Sequence, residues 1–212
     1  MQTMTEIALE RAHRGVFTRR EAAGWVEDDG PRLDALLKRA VAHGEVWRIR
    51  RGLYCLHTRY LKRPVDAFAV AQLVHGPSYI SMEAALSHHG WIPEAVYTVT
   101  SASVARSRTF TTPLGVFSFT RVPQRVFYAA VSRVETRAGD SFLLADPLKA
   151  LADYVYVHRC RWTSLTPVME DLRVEEEALR DVPPEAFDLL IAHYRVKRVC
   201  HFLLALRKEL NR

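Results

Sequence analysis

Along the first third of the chain, apolar positions recur at helical spacing, pause at an acidic turn, recur again and then shift to short β-prone runs. Leu33, Leu36, Leu37, Ala40 and Val41 fall three and four residues apart, which puts them on one face of a helix, while Arg32, Lys38, Arg39 and His43 fall on the other. Pro31 suits the first turn of that helix because its missing amide is not needed there, and Gly44 supplies a stop. Ahead of it stands Thr18-Arg19-Arg20-Glu21, where a threonine hydroxyl and a glutamate three residues on can cap the free amides of a helix start reciprocally. A short helix through Ala22, Ala23 and Trp25 is therefore predicted, closed by the turn Glu27-Asp28-Asp29-Gly30. Val46-Trp47-Arg48-Ile49 and Leu53-Tyr54-Cys55-Leu56 then flank Arg50-Arg51-Gly52, which predicts a hairpin with a cationic tip. Upstream, Thr5 to Arg14 can form a preceding helix that Gly15 ends. Helix, turn, helix and hairpin in this order predict a winged helix-turn-helix.

The pattern breaks at residues 57–64, His-Thr-Arg-Tyr-Leu-Lys-Arg-Pro, whose charge and proline are those of a connection. Beyond it, Asp66 to His75 reads as an apolar helix, and Ser81 can cap another that runs through Met82, Ala84, Ala85 and Leu86 to Gly90. The period then changes. Ala95 to Thr100, Gly115 to Arg121, Tyr128 to Arg137 and Ser141 to Ala145 are β-branched or aromatic runs separated by Pro, Gly and Ser, which predicts a small mixed or antiparallel sheet. After Asp146-Pro147 helical spacing returns, with helices expected over Leu148 to Tyr154, Leu165 to Leu179, Glu185 to Tyr194 and Arg195 to Leu210. The expected fold class is α+β: a winged helix-turn-helix over residues 1–60, then a mixed α/β domain over residues 64–212 with a small sheet and a helical C-terminal part.

Charge sharpens this picture. Residues 1–63 hold 13 Lys/Arg against 8 Asp/Glu, a net of +5, while the remainder holds 17 against 16, so the basic excess lies in the region where an anionic partner would bind. Double-stranded DNA is that partner if the module works as its kind does, with the second helix in the major groove and neighbouring elements on phosphates. Arg32, at the start of that helix, is best placed for bases; Lys38 and Arg39 lie further along, toward the backbone. Arg48, Arg50 and Arg51 would let the wing reach phosphates or a minor groove. Thr18, Arg19 and Arg20 at a helix N-terminus would form a phosphate clamp. The acidic turn at Glu27 to Asp29 must then point away from the duplex. A solvated charged face or a protein-docking module is the competing reading of the same residues.

Cys55, Cys160 and Cys200 stand far apart with no C-x-x-C pair, so neither a disulfide framework nor a cysteine zinc site is expected. The lack of a signal-like apolar stretch or of a segment of about 20 apolar residues points to the cytoplasm and away from a membrane.

With these residues laid out, the chain resembles the AbiEi family of abortive-infection antitoxins, predicted transcriptional regulators of viral defence systems. The resemblance lies in Gly44-x-Val46-x-Arg48-Ile49-x-Arg51-Gly52-Leu53-Tyr54, in Tyr79-Ile80-Ser81-Met82-Glu83-Ala84-Ala85-Leu86-x-x-His89-Gly90, in Val96-Tyr97-Thr98-Val99-Thr100 and in Ala145-Asp146-Pro147-Leu148-Lys149-Ala150-Leu151-x-Asp153. It implies an N-terminal DNA-binding domain that represses its own operon at repeated sequences. It also implies a C-terminal domain that counters a nucleotidyltransferase-like toxin without a stable complex. Glu83, His89, Lys149 and Asp153, which stand in these motifs, are the candidates for the antitoxin or regulatory part.

No cofactor, metal ligand set or catalytic residue is expected. A G-x-x-x-x-G-K-[ST] loop, a G-x-S-x-G elbow and the Gly-Ser and Asp-x-Asp elements of a nucleotidyltransferase are all absent from the sequence. His88-His89 are adjacent rather than four apart, so they do not make a paired metal face, and Glu175-Glu176-Glu177 point in different directions. Asp153 and Lys149 are spaced for a modest surface ion pair. A stand-alone regulator, or a nucleic-acid-processing enzyme targeted by a winged helix, remain the alternatives.

Overall fold

The computed structural model describes residues 2–210; residues 1, 211 and 212, the outer ends of the two expected domains, lie outside it. It is a mixed α+β structure. The N-terminal part runs α1 (Met4–Arg11), β1 (Val16–Thr18), α2 (Arg19–Val26), α3 (Pro31–Ala42), β2 (Val46–Arg50) and β3 (Leu53–Leu56). The strands form an antiparallel sheet in the order β1-β3-β2. Thr18 begins α2 as its sequence requires: the Glu21 amide donates to the threonine Oγ1 at 3.2 Å, and the Thr18 amide donates to the Glu21 carboxylate at 2.7 Å. Glu27 ends that helix in the left-handed region, φ 53°, and α3 restarts after Gly30 with Pro31 in its first turn. Met4, Ile7, Ala8, Phe17, Ala22, Leu33, Leu37, Ala40, Val46 and Leu56 pack into one small core.

The rest of the chain adds α4 (Ala67–Val74), β4 (Ser78–Ile80), α5 (Met82–His88), β5 (Thr98–Ser103), β6 (Arg108–Thr112), β7 (Gly115–Arg121), β8 (Val131–Glu135) and β9 (Ser141–Ala145). Then come α6 (Pro147–Val157), α7 (Thr166–Asp171), α8 (Glu176–Arg180), α9 (Pro184–His193) and α10 (Lys197–Glu209). The six strands form one sheet in the order β6-β7-β5-β4-β9-β8, with β5 parallel to β7, β4 parallel to β9 and the other pairs antiparallel. Helices α4 and α5 contact strands of this sheet, α6 packs on α5, and α9 and α10 pack on each other and on α6. The larger core includes Phe117, Phe119, Phe142, Leu144, Leu151, Val155, Phe187, Phe202 and Leu203, and it takes in Ile49, Leu53 and Cys55 from the N-terminal hairpin.

Three departures from the sequence reading have local causes. Ser78–Ile80 and Arg108–Thr112 are strands that the sequence reading left out: the first has only three residues and runs directly into the helix start at Ser81, and the second, Arg-Thr-Phe-Thr-Thr, is β-prone in composition but forms an edge strand with mostly exposed residues. Val16–Thr18 adds a third strand to the hairpin because it pairs with Leu53–Cys55 in space. The helix expected over Leu165 to Leu179 is two short ones, since Arg173 takes a left-handed φ of 55° between them.

The two cores are joined by polar contacts as well. Arg14 pairs with Asp140 and donates to the Gly139 carbonyl, and Arg63 Nη1 donates to the Ala138 carbonyl at 2.8 Å. Gly15, with φ +77°, lies so close to Leu61 that an added methyl would overlap its side chain, whereas Gly44, with φ +65°, faces open space. Gly15→Ala is therefore expected to cost about 2 kcal/mol or more, against about 1 kcal/mol for Gly44→Ala, both read from urea denaturation midpoints at constant slope.

Burial pushes the Cys55 thiol up to about 12. This raised value keeps the folded thiol neutral, so its contribution to stability is constant below the ordinary value of 9.0 and is lost as pH rises from there toward 12. Ellman's reagent at pH 8 is expected to leave Cys55 unmodified until the chain is unfolded in guanidinium. Rapid labelling of Cys55 in the folded protein would contradict the burial described here.

Candidate nucleic-acid interface and a buried polar cluster

Helix α3 buries Leu33, Leu36, Leu37 and Ala40 and leaves Arg32, Lys38 and Arg39 exposed on its outer side. Arg20 on α2, Arg48 on β2 and Arg51 at the hairpin tip are also exposed. None of these six cations has an ion-pair or side-chain hydrogen-bond partner among the described residues. They are charges without internal use, and a polyanion can neutralise them without first breaking anything.

Thr18, Arg19 and Arg50 are placed differently from the sequence reading. The Thr18 hydroxyl is occupied by its capping partner, donating to the Glu21 carboxylate at 2.7 Å. Arg19 donates from Nε to Asp34 Oδ1 at 3.1 Å and from Nη2 to the same oxygen at 3.0 Å, and it also reaches the Asp29 carbonyl. Asp34 lies in the first turn of α3, so Arg19 is a strut across the turn between the two helices rather than a free phosphate clamp. Its own amide donates to the Gly52 carbonyl at 2.9 Å, which ties the start of α2 to the hairpin. Asp28 is also held in place, its Oδ1 accepting the Gly30 amide at 2.6 Å. Arg50 donates from Nε and Nη2 to the Leu73 carbonyl at 3.0 and 2.7 Å, and from Nη1 to the Arg51 carbonyl at 2.9 Å. It thus satisfies an end carbonyl of α4 and clamps the hairpin to the second core.

Beside this clamp runs a groove of about 340 Å³ lined by Arg50, Arg51, His75, Arg108 and Phe110. Arg108 was missed in the sequence. It belongs to edge strand β6, more than fifty residues beyond the hairpin, and only the fold brings it beside Arg51. Its guanidinium lies over the Phe110 ring at 4.9 Å, a cation–π contact that leaves its hydrogen-bond donors available.

The four regulatory candidates separate into different settings. Asp153 and Lys149 do not form a surface pair; both are fully buried, because every turn of α6 is covered by neighbouring elements. Asp153 accepts from the Tyr79 hydroxyl at 2.9 Å, the Ser81 hydroxyl at 2.7 Å, Gln124 Nε2 at 3.0 Å and the Tyr194 hydroxyl at 2.5 Å. Lys149 Nζ lies 3.8 Å from the same carboxylate, donates to Gln124 Oε1 and sits over the rings of Tyr79 and Tyr194. Burial lowers the lysine's pKa, with Asp153 opposing the shift, and burial together with the Asp153 charge raises both tyrosines.

Glu83 instead pairs with His158 at 2.6 Å on α6's far end, a contact that the separation of 75 residues concealed. Burial raises the Glu83 pKa, but the hydrogen bond and charge of His158 outweigh it and leave the carboxyl below its ordinary value. His89 Nε2 is 2.9 Å from the Ala145 carbonyl, and the adjacent His88 ring stands at 88° to it. Among the described residues no group of three or more His, Cys, Asp or Glu side chains could hold a metal ion.

The segment that carries helix, turn, helix and hairpin is similar to a known family. Residues 4–57 match the family model of the transcriptional regulator, AbiEi antitoxin. The AbiEi match spans α1 through β3, including all six exposed cations, and stops before the motifs from Tyr79 to Asp153 on which the wider resemblance rests. No curated protein matches the chain. No helix among the described residues is long and apolar enough to cross a membrane.

Removing one partner of a buried charge pair leaves the other uncompensated. Lys149→Met is therefore expected to destabilise the protein by about 3–5 kcal/mol in urea denaturation. In the double variant Lys149→Met with Asp153→Leu the cost should fall well below the sum of the two single changes. Strict additivity would show that the two side chains do not act as a unit.

Proposed function

We propose that residues 4–57 form a winged helix-turn-helix that binds double-stranded DNA, and that the protein is a transcriptional repressor serving as the antitoxin of an abortive-infection operon. In this reading residues 1–60 are the DNA-binding domain and residues 64–212 the antitoxin or regulatory domain. The observation that carries the proposal is the set of exposed, unpartnered cations on α3, α2 and the hairpin, all within the segment that matches the AbiEi regulators. Arg32 enters the major groove at the start of α3, with Lys38 and Arg39 following toward the backbone. Arg20 and Arg48 contact phosphates, and Arg51 with Arg108 carries the contact onto the adjoining groove.

Binding at repeated sequences in its own promoter would make the protein a negative autoregulator in phage defence. Its second domain would then oppose a nucleotidyltransferase-like toxin without forming a stable complex.

Fluorescence anisotropy with the DNA upstream of its own gene, measured across a salt series, tests the assignment. Arg48→Ala and Arg51→Ala are each expected to weaken binding to any duplex and to reduce the salt slope by about 1, while Arg32→Ala costs about 1–3 kcal/mol of discrimination against a scrambled duplex. Arg50→Ala should lower the melting temperature more than the salt slope, since its guanidinium clamps α4. Equal affinity for upstream and scrambled DNA, insensitive to the changes at Arg32, Arg48 and Arg51, would overturn the proposal.

A further inference from the structure

Between the two cores lies a second, larger cleft of about 840 Å³, the size range of small-molecule sites. One wall is built by Leu9, Leu53 and Leu56 from the N-terminal part; the other by Val65, Val70 and Leu73 from the connection and α4. Leu9 is 49 % exposed and Leu73 45 %, so the structure leaves apolar surface facing the cleft without cover.

The polar groups at its edge are not balanced. Every carboxylate that lines it is engaged: Glu21 in the α2 cap, Asp66 with the amides of Phe68 and Ala69, and Asp140 with Arg14. Donors are left over. Arg14 Nε is buried with no acceptor, although the rest of its guanidinium holds Asp140 and Gly139. Lys62 and His13 also line the cleft, with no side-chain partner among the described residues. A site with apolar walls, satisfied carboxylates and unsatisfied cationic donors favours one chemistry, an apolar body that ends in a single anionic group.

We propose that this cleft binds an amphipathic organic acid, such as a medium-chain fatty acid or an aromatic carboxylate. The carboxylate is held by Lys62 at the rim, and the apolar body lies between Leu9 and Leu73. The proposal does not depend on DNA binding, and its test is a direct binding measurement.

Isothermal titration of the full chain with octanoate below its micellar concentration should give saturable binding at one site per chain. Octanol, which keeps the apolar body and lacks the charge, should bind at least about tenfold more weakly, and octylamine more weakly still. Lys62→Ala, at an exposed position that leaves folding intact, should weaken octanoate about tenfold and leave octanol unchanged. Ala69→Trp, which fills the cleft from α4, should abolish binding of both, with circular dichroism confirming the fold. Absence of saturable octanoate binding by the wild-type chain, equal binding of octanol, or full binding by a folded Ala69→Trp variant would each overturn the proposal.

Discussion

The C-terminal two-thirds of the protein is organised around one buried carboxylate. Asp153 has no access to water, and a charge in that setting is tolerable only when its oxygens are saturated by donors. Four side chains supply them, and each comes from a different place: Tyr79 from β4, Ser81 from the entry to α5, Gln124 from the segment after β7, and Tyr194 from the junction of α9 and α10. Lys149, one turn earlier on α6, adds the counter-charge and is cradled by the same Gln124 and by two tyrosine rings. A partly formed network of this kind is worse than an apolar core, so the sheet, α6 and the C-terminal helices have one arrangement in which all of it is satisfied. Apolar contacts are non-directional, whereas the hydrogen bonds of the polar hub fix one geometry.

In the N-terminal part the same principle sorts the arginines. Arg19 and Arg50 stand in the basic stretch with the others, yet each has found an internal acceptor: Asp34 and the Asp29 carbonyl for one, the Leu73 carbonyl for the other. These two hold the angle between α2 and α3 and the attachment of the hairpin to α4. Arg20, Arg32, Lys38, Arg39, Arg48 and Arg51 have no ion-pair or side-chain hydrogen-bond partner among the described residues and remain available to an outside anion. Arg19 also ties the acidic turn to α3, because it draws the Asp34 carboxylate and the Asp29 carbonyl toward itself. Structural and free cations are therefore interspersed along one stretch of sequence, and residue type does not separate them.

Local signals were reliable where the energy is local. The Thr18–Glu21 cap, Pro31 at a helix start, the periodic leucines of α3 and the β-runs around Gly52 each involve residues within four positions of one another, and each appears in the structure as the sequence predicts. Signals failed where the partner is distant. Ser78–Ile80 is a strand because Ser101–Ser103 and Leu144 pair with it, and nothing in three residues announces that. Glu83 with His158, and Arg51 with Arg108, are neighbours only after the chain has folded.

The sequence by itself determined most of the helices, the hairpin, the amphipathic faces and the location of the excess positive charge, since these follow from spacing and composition over a few residues. Tertiary structure alone decided which charges are buried and which are free. Lys149 and Asp153 have the spacing of an ordinary surface pair, and their role reverses because α5, α9 and α10 pack on α6, and Tyr79 and Gln124 reach in beside them, and together exclude water from it. Solvent exclusion is a property of the assembled chain. It decides whether a charge is a solubilising decoration, a structural hub or a contact for another molecule.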